Sequence, residues 1–195
     1  MKNIEELIRK KKQIRVVGFD DAPFSHERGS SVNVAGIVCS QTRFEGMLWL
    51  QIEKDGSNAT EAVSQALLSS KFYAQVHAIL IDGIAFGGFN IVDLPSLARV
   101  TQRPCIAVMK KAPNLGAIDS ALKNFEDYSH RKSLIEAAGE IYERGGFFFQ
   151  VSGCEPELAS AILRNTTDTG SVPEALRIAH FVGAAVETGQ SSSRA

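Results

Sequence analysis

Two short apolar runs, each closed by aspartate, constrain this chain more than any other feature. Ile14–Phe19 reads IRVVGF and stops at Asp20-Asp21, and Val76–Ile81 reads VHAILI and stops at Asp82-Gly83. Runs of this length are too short for buried helices and suit strands covered on both faces. A third run, Pro104–Met109 (PCIAVM), stops at Lys110-Lys111. Helix-like segments separate the second run from the third, which predicts parallel βα units. In such sheets the ligand site lies at the carboxyl ends of the strands, where Asp20, Asp82 and Lys110 fall.

The remaining elements follow from local pattern. Val32–Cys39 and Phe44–Ile52 read as strands joined through Ser40–Arg43, a tight hairpin. A helix begins at Asn58, with Glu61 at capping-box spacing. The segment GIAFGGFN, residues 83–90, reads as a loop, and Asp93 as the cap of a short helix over Leu94–Val100. Asn114 caps Leu115–Leu122, and a longer helix runs from Ser129 to Tyr142 until Gly145-Gly146 stops it. Phe147–Val151 is the last strand. Helices over Glu155–Leu163 and from Ser171 to about Glu187 close the chain, the latter again with capping-box spacing, and Ile4–Lys12 opens it. The predicted fold is α/β. An RNase H-like mixed sheet, antiparallel through its first three strands and parallel afterwards, has helices on both faces. Residues 1–190 form one domain and 191–195 a flexible tail.

Composition narrows the partners. With 44% hydrophobic and 22% charged residues, the chain resembles an ordinary globular protein. A net charge of −1 argues against a general nucleic-acid coat, while leaving room for a local basic groove. No stretch approaches the ~20 apolar residues of a membrane span, and no leader peptide is visible. Three cysteines without a CxxC pair predict reduced, buried thiols and a cytoplasmic setting. A homo-oligomer is compatible with all of this.

In order and spacing, VVGFDD, LIDG, PCIAVMKK and GSVPEALRIAH resemble the strand ends and closing motif of endonuclease V. The segments DDAPF, IDGIAFGGFNIVD and QVSGC look closer still to a mainly archaeal family of endonuclease V-like proteins. The resemblance runs from about Ile14 to Ala185. It implies a divalent-metal-dependent nuclease or phosphodiesterase acting on DNA or RNA with Mg2+ or Mn2+. Carried over by motif, Asp20 and Asp82 are the metal-holding carboxylates, Lys110 or Lys111 the lysine after the next strand, and His180 the closing residue. Two carboxylates on neighbouring strands suit a hard cation, and Lys110 suits a phosphate.

This sequence departs from endonuclease V in three places. Its Pro-Tyr-rich wedge and upstream catalytic Glu have no match, and GIAFGGFN replaces its His-Pro-Arg stretch. Glu61 lies at a suitable distance to serve as third metal ligand, against its reading as a helix cap. Gly83, Gly87 and Gly88 allow close backbone approach. Phe86 and Phe89 are candidates to stack on a base, and Lys111 to meet a backbone phosphate. Asp21 should point away from Asp20, toward loop amides. Loss of the wedge predicts weak preference for deaminated bases at most. Two other functions stay open: a nucleic-acid-binding module without catalysis, and a small-molecule or nucleotide binder using the GIAFGGFN loop. A third carboxylate beside Asp20 and Asp82 favours the nuclease, a basic groove without one the module, and an enclosed apolar pocket the small-molecule binder.

Overall fold

The computed structural model describes residues 4–192; residues 193–195 of the expected tail lie outside them. Among the described residues, seven strands form one mixed sheet in the order Arg43–Glu53, Ser31–Ser40, Arg15–Asp21, Ala78–Asp82, Cys105–Met109, Phe147–Ser152, Tyr142–Arg144. β1 (Arg15–Asp21) is central. It pairs antiparallel with β2 (Ser31–Ser40) and parallel with β4 (Ala78–Asp82). β2 pairs antiparallel with β3 (Arg43–Glu53) at one edge, and β4 runs parallel to β7 (Cys105–Met109). The expected antiparallel start and parallel middle are therefore present.

The far side of the sheet differs from the sequence reading. β9 (Phe147–Ser152) runs antiparallel to β7 and hairpins with a short strand, β8 (Tyr142–Arg144). Gly145 and Gly146, expected to stop a helix, instead form the hairpin turn, with φ of +61° and +83°. Two successive residues at positive φ are what a tight two-residue hairpin demands. The preceding helix, α5 (Tyr128–Ala137), accordingly ends early.

Period-two alternation sorts the core into two layers. Val17 and Phe19 of β1, with Ile79 and Ile81 of β4, pack beneath α2 (Ala59–Leu68) and α3 (Leu94–Thr101). Val16, Ala78 and Leu80 pack on the other face against α1 (Ile4–Arg9), α6 (Pro156–Asn165) and α7 (Glu174–Thr188). By the same alternation Asp20 and Asp82 belong to the α7 face.

Asp93 and Asn114 cap α3 and α4 (Leu115–Leu122) as expected, accepting from the Ser96 and Ala117 amides at 2.9 and 3.0 Å. The two capping boxes do not form. The Asn58 side chain turns to the Glu53 amide, and Asn90 Oδ1 accepts from Ala59 N–H at 2.9 Å instead. At α7 the cap position is Pro173, and Glu174 pairs with Arg177 at 2.6 Å. Cys39, Cys105 and Cys154 are free thiols, the first two buried. No helix among the described residues is long and apolar enough to cross a membrane.

Candidate active site

Backbone register brings the aspartates together. In the parallel β1–β4 pair Phe19 lies opposite Ile81, so the next residues along, Asp20 and Asp82, sit side by side where both strands end. On the other flank Asp82 lies opposite Val108, and Lys110 follows two residues later, exposed at the strand exit.

The fourth member arrives from α7, and glycine decides how close it comes. A Cβ on Gly18 would lie 2.8 Å from the Ala175 carbonyl carbon, and one on Gly183 would lie 3.0 Å from Ala22 Cα. Lacking those atoms, β1 and α7 touch backbone to backbone. His180 Nδ1 thereby reaches 3.0 Å from Asp20 Oδ2. An ionised Asp20 at this distance selects the tautomer with the proton on Nδ1, leaving Nε2 as the acceptor.

The electrostatics of the pair are unfavourable as they stand. Asp20 is only 4% exposed. Burial, and then the charges of Asp82 and Asp21, push its carboxyl up to about 9, against partial relief from a hydrogen bond donated by the Asp21 amide and from the charge of Lys110. Burial also raises Asp82, with Lys110 and His180 opposing the shift. Among the described residues, no three His, Cys, Asp or Glu side chains are placed to hold one ion. A buried and a half-buried carboxylate that repel each other nevertheless fit a divalent cation. Mg2+ in particular often takes one or two protein carboxylates and fills its other positions with water and substrate phosphate.

Glu61 is not brought to this cluster. It is exposed on α2, accepts from Gln65 Nε2 at 2.8 Å, and lines a separate groove with Thr60, Ile91, Asp93 and His130. The capping box that would have explained it is absent as well. Its upstream spacing matched, but α2 packs on the face of the sheet opposite Asp20 and Asp82.

The GIAFGGFN segment forms a small hairpin, β5 (Ala85–Phe86) and β6 (Asn90–Ile91), turned by Gly87 and Gly88 at φ of +53° and +88°. Phe86 is fully buried in the core and cannot stack on a base, because alternation turns it inward. Asp21 accepts from Gly87 N–H at 2.8 Å, the loop amide that its place on the strand predicts, while its charge still reaches Asp20. Gly88 packs so near Asp55 that a Cβ would lie 2.4 Å from Oδ1. Phe89, half-buried, meets Phe125 edge-on at 5.5 Å. Gly83, at φ +73°, has open space around it, and Lys111 is exposed beside Lys110.

Sequence reasoning missed what holds this loop. Arg131 of α5 is 5% exposed and donates to the carbonyls of Asp55 (2.8 Å), Gly56 (3.2 Å) and Phe89, and to Asp127 at 2.7 Å. Its guanidinium lies 4.4 Å from the Phe125 ring centre. A lone arginine on a helix with no matching motif carries no signal for such a role.

Beside Gly83 and the end of β7 lies an apolar pocket of about 270 Å3. Ile84, Phe89, Met109, Ile135 and Ile141 line it, together with Gln150, a buried amide whose Nε2 donates to the Gly139 carbonyl at 2.8 Å. It opens next to the ends of the strands that carry Asp82 and Lys110.

Comparison with known proteins agrees with this architecture. A crystal structure of a protein of unknown function from Archaeoglobus fulgidus superposes with a TM-score of 0.84 at 35% identity, covering 89% of this chain and 98% of that one. Endonuclease V of Ciona intestinalis, crystallised with a 24mer DNA containing an inosine followed by a ribo-adenosine, matches with a TM-score of 0.56. Its identity is 18% over 90% of each chain, so the likeness is one of fold. Endonuclease V of Bacillus subtilis gives 0.60 at 10% identity, covering 95% of this chain and 90% of that one. Among sequences, a UPF0215 protein of Pyrococcus furiosus is 44% identical over 191 residues, 94% of this chain and 97% of its own. The family model described as endonuclease dU matches residues 12–187. The chain belongs to the endonuclease dU family, on an endonuclease V-like fold.

Proposed function

We propose that this protein is a divalent-cation-dependent endonuclease that cuts a nucleic-acid strand near a base drawn into the apolar pocket. The observation that carries the reading is the side-by-side placement of Asp20, buried, and Asp82, half-buried, at the ends of parallel strands, where they repel each other with Lys110 and His180 close enough to moderate their charge. Asp20 and Asp82 hold Mg2+ or Mn2+. Such an ion, when bound, supplies an activated water and offsets charge on the phosphate being cleaved.

The chain's own groups do the rest. Lys110 offers a compact positive charge to a phosphate oxygen at the strand exit. Asp20 orients His180 through Nδ1 and leaves Nε2 as the ring atom that can hold or pass a proton. Gly83 lets the strand backbone approach closely, and exposed Lys111 extends the cationic edge. Extruding a base costs a few kcal/mol, and burying its faces against Ile84, Phe89 and Met109 repays part of that cost. The buried Gln150 amide supplies a polar edge within an otherwise apolar wall.

This reading departs from the expectation, drawn from loss of the wedge, of weak preference for deaminated bases at most. Membership of the endonuclease dU family makes deoxyuridine the first nucleoside to try. The test is cleavage of otherwise identical strands carrying deoxyuridine, deoxyinosine or the undamaged base, with Mg2+, with Mn2+ and with chelator. Preferential cutting of the deoxyuridine strand in either ion, lost with chelator and in Asp82→Asn, is expected. Cleavage that survives both losses would refute the site.

A second reading, a module that binds without cutting, is favoured by the lack of a third ligating side chain beside Asp20 and Asp82 among the described residues. Retention of strands without cleavage under any of those conditions would establish it.

A further inference from the structure

The amide of Gln150 is half used. In β9 its neighbours Phe149 and Val151 pack with the α6 and α7 layer, so strand alternation turns Gln150 to the other face of the sheet. It is 4% exposed, and it is the one polar side chain among the described residues that line the apolar pocket. A buried amide in apolar surroundings is costly unless it bonds. Nε2 does so, donating to the Gly139 carbonyl at 2.8 Å. A carbonyl only accepts, so this contact fixes which end of the amide is nitrogen. Among the described residues nothing donates to Oε1, and none of their fully buried side-chain oxygens lacks a partner. Oε1 therefore keeps open surface, and the opening that Gln150 borders is the pocket. Bracing β9 against Gly139 needs Nε2 alone; the acceptor is left for something that enters.

We infer that Gln150 determines the specificity of the pocket: its Oε1 accepts from the ring N–H of a deaminated base and so separates that base from its amino parent. This rests on the proposed reading of the pocket as the seat of an extruded base. Hydrolytic deamination exchanges an exocyclic amine for a carbonyl and puts hydrogen on the neighbouring ring nitrogen. Cytosine N3 carries a lone pair where uracil N3 carries hydrogen, and adenine N1 and hypoxanthine N1 differ in the same way. With the parent base in the same pose, Oε1 faces a lone pair, and two buried acceptors are left without a hydrogen bond. The amide cannot turn over to suit the parent, because its oxygen would then meet the Gly139 carbonyl. No other side chain among the described lining residues can compensate, since all of them are apolar. A site built around one buried polar group rejects a ligand that leaves it unpaired far more strongly than an apolar wall rejects a change of shape.

The test is equilibrium binding by the full chain, followed by fluorescence anisotropy with chelator present so that binding is read apart from metal-dependent cutting. Single strands identical but for one position carry deoxyuridine, N3-methyldeoxyuridine or deoxycytidine. Wild type should hold the deoxyuridine strand at least ~10-fold more tightly than either of the others. Gln150→Leu keeps the bulk and loses the amide. It should bind all three strands alike while circular dichroism stays native, so that methylation of N3 no longer matters once its partner is gone. If that variant does not fold, the side-chain amide resonances of Gln150 in wild type decide: they should move with the deoxyuridine strand and stay in place with the deoxycytidine strand. Equal affinity of wild type for the three strands overturns the inference and leaves cutting at Asp20 and Asp82 standing. A folded Gln150→Leu that keeps the preference, or amide resonances indifferent to deoxyuridine, overturns the assignment to Gln150. A wild type that holds no strand at all overturns the inference together with the pocket reading beneath it.

Discussion

At the scale of single residues, the chemistry is concentrated in Asp20. Its ordinary value is 3.8, and burial among like charges takes it to about 9 in the fold. A group that binds its proton more tightly folded than unfolded stabilises the fold fully only below its unfolded value. That contribution is lost as pH rises toward the folded value. The metal-free protein should therefore lose stability steadily between about pH 4 and pH 9. Asp20→Asn, which keeps the shape without the charge, should flatten this slope and exceed wild type above neutral pH. Urea unfolding across pH in the presence of chelator measures both; parallel slopes for the two proteins would show that Asp20 does not carry the strain. Asp21, its sequence neighbour, has a different task, because a strand turns adjacent side chains to opposite faces. It holds the Gly87 amide and so fastens the loop behind the site.

At the scale of elements, two packings place the site. α7 lies against β1 only because Gly18 has no side chain where Ala175 passes. Gly18→Ala meets backbone rather than a flexible tip, so an overpacking cost of about 1–3 kcal/mol is expected. The same change should lift His180 from Asp20. Denaturant unfolding gives the first effect, and the imidazole titration followed by NMR gives the second. Unchanged values in both would mean that α7 is not held by that contact. Arg131 performs the equivalent task for the loop, joining α5 to the carbonyls of Asp55, Gly56 and Phe89. Lysine cannot reproduce its fork of donors. Arg131→Lys should leave those buried carbonyls short of partners at roughly 1–3 kcal/mol and speed hydrogen exchange at Gly87–Asn90. Wild-type exchange rates there would remove Arg131 from this role.

At the scale of the whole molecule, the sheet brings together groups from three regions of the chain, so occupation of the site should be felt globally. An ion that binds the folded protein alone stabilises it by about 2.7 kcal/mol at 100 times its Kd. Mn2+ should therefore raise the melting temperature of wild type. It should raise that of Asp93→Asn equally, because Asp93 only caps α3. Asp82→Asn should lose most of the gain, which calorimetric titration of the three proteins would show as weakened affinity. Equal gains in all three would place the ion elsewhere. The rise should also be larger at pH 8 than at pH 6, since the proton that burial holds on Asp20 has to leave before the carboxylate can bind.

The central strands, the placement of Asp20 and Asp82 at their ends, the Asp93 and Asn114 caps and the inward turn of Asp21 were all legible in the sequence. Each rests on local physics: short apolar runs, two-residue alternation and side chains that bond amides a few residues away. The likeness of motif order to endonuclease V added His180, which no local pattern singled out. Tertiary structure alone decided the rest. Gly145-Gly146 stops a helix or turns a hairpin equally well, and only pairing with β7 selected the hairpin. Asn58 and Glu61 have the spacing of a cap, but Asn90 arrives from a distant strand and takes that place. Glu61 was thereby left on the face opposite the aspartates. Phe86 and Phe89, three residues apart in one loop, part company because one enters the core and the other faces a pocket that α5 helps to close. A sequence records which bonds each residue is able to make; where several partners are within its chemistry, the packing of remote elements selects among them.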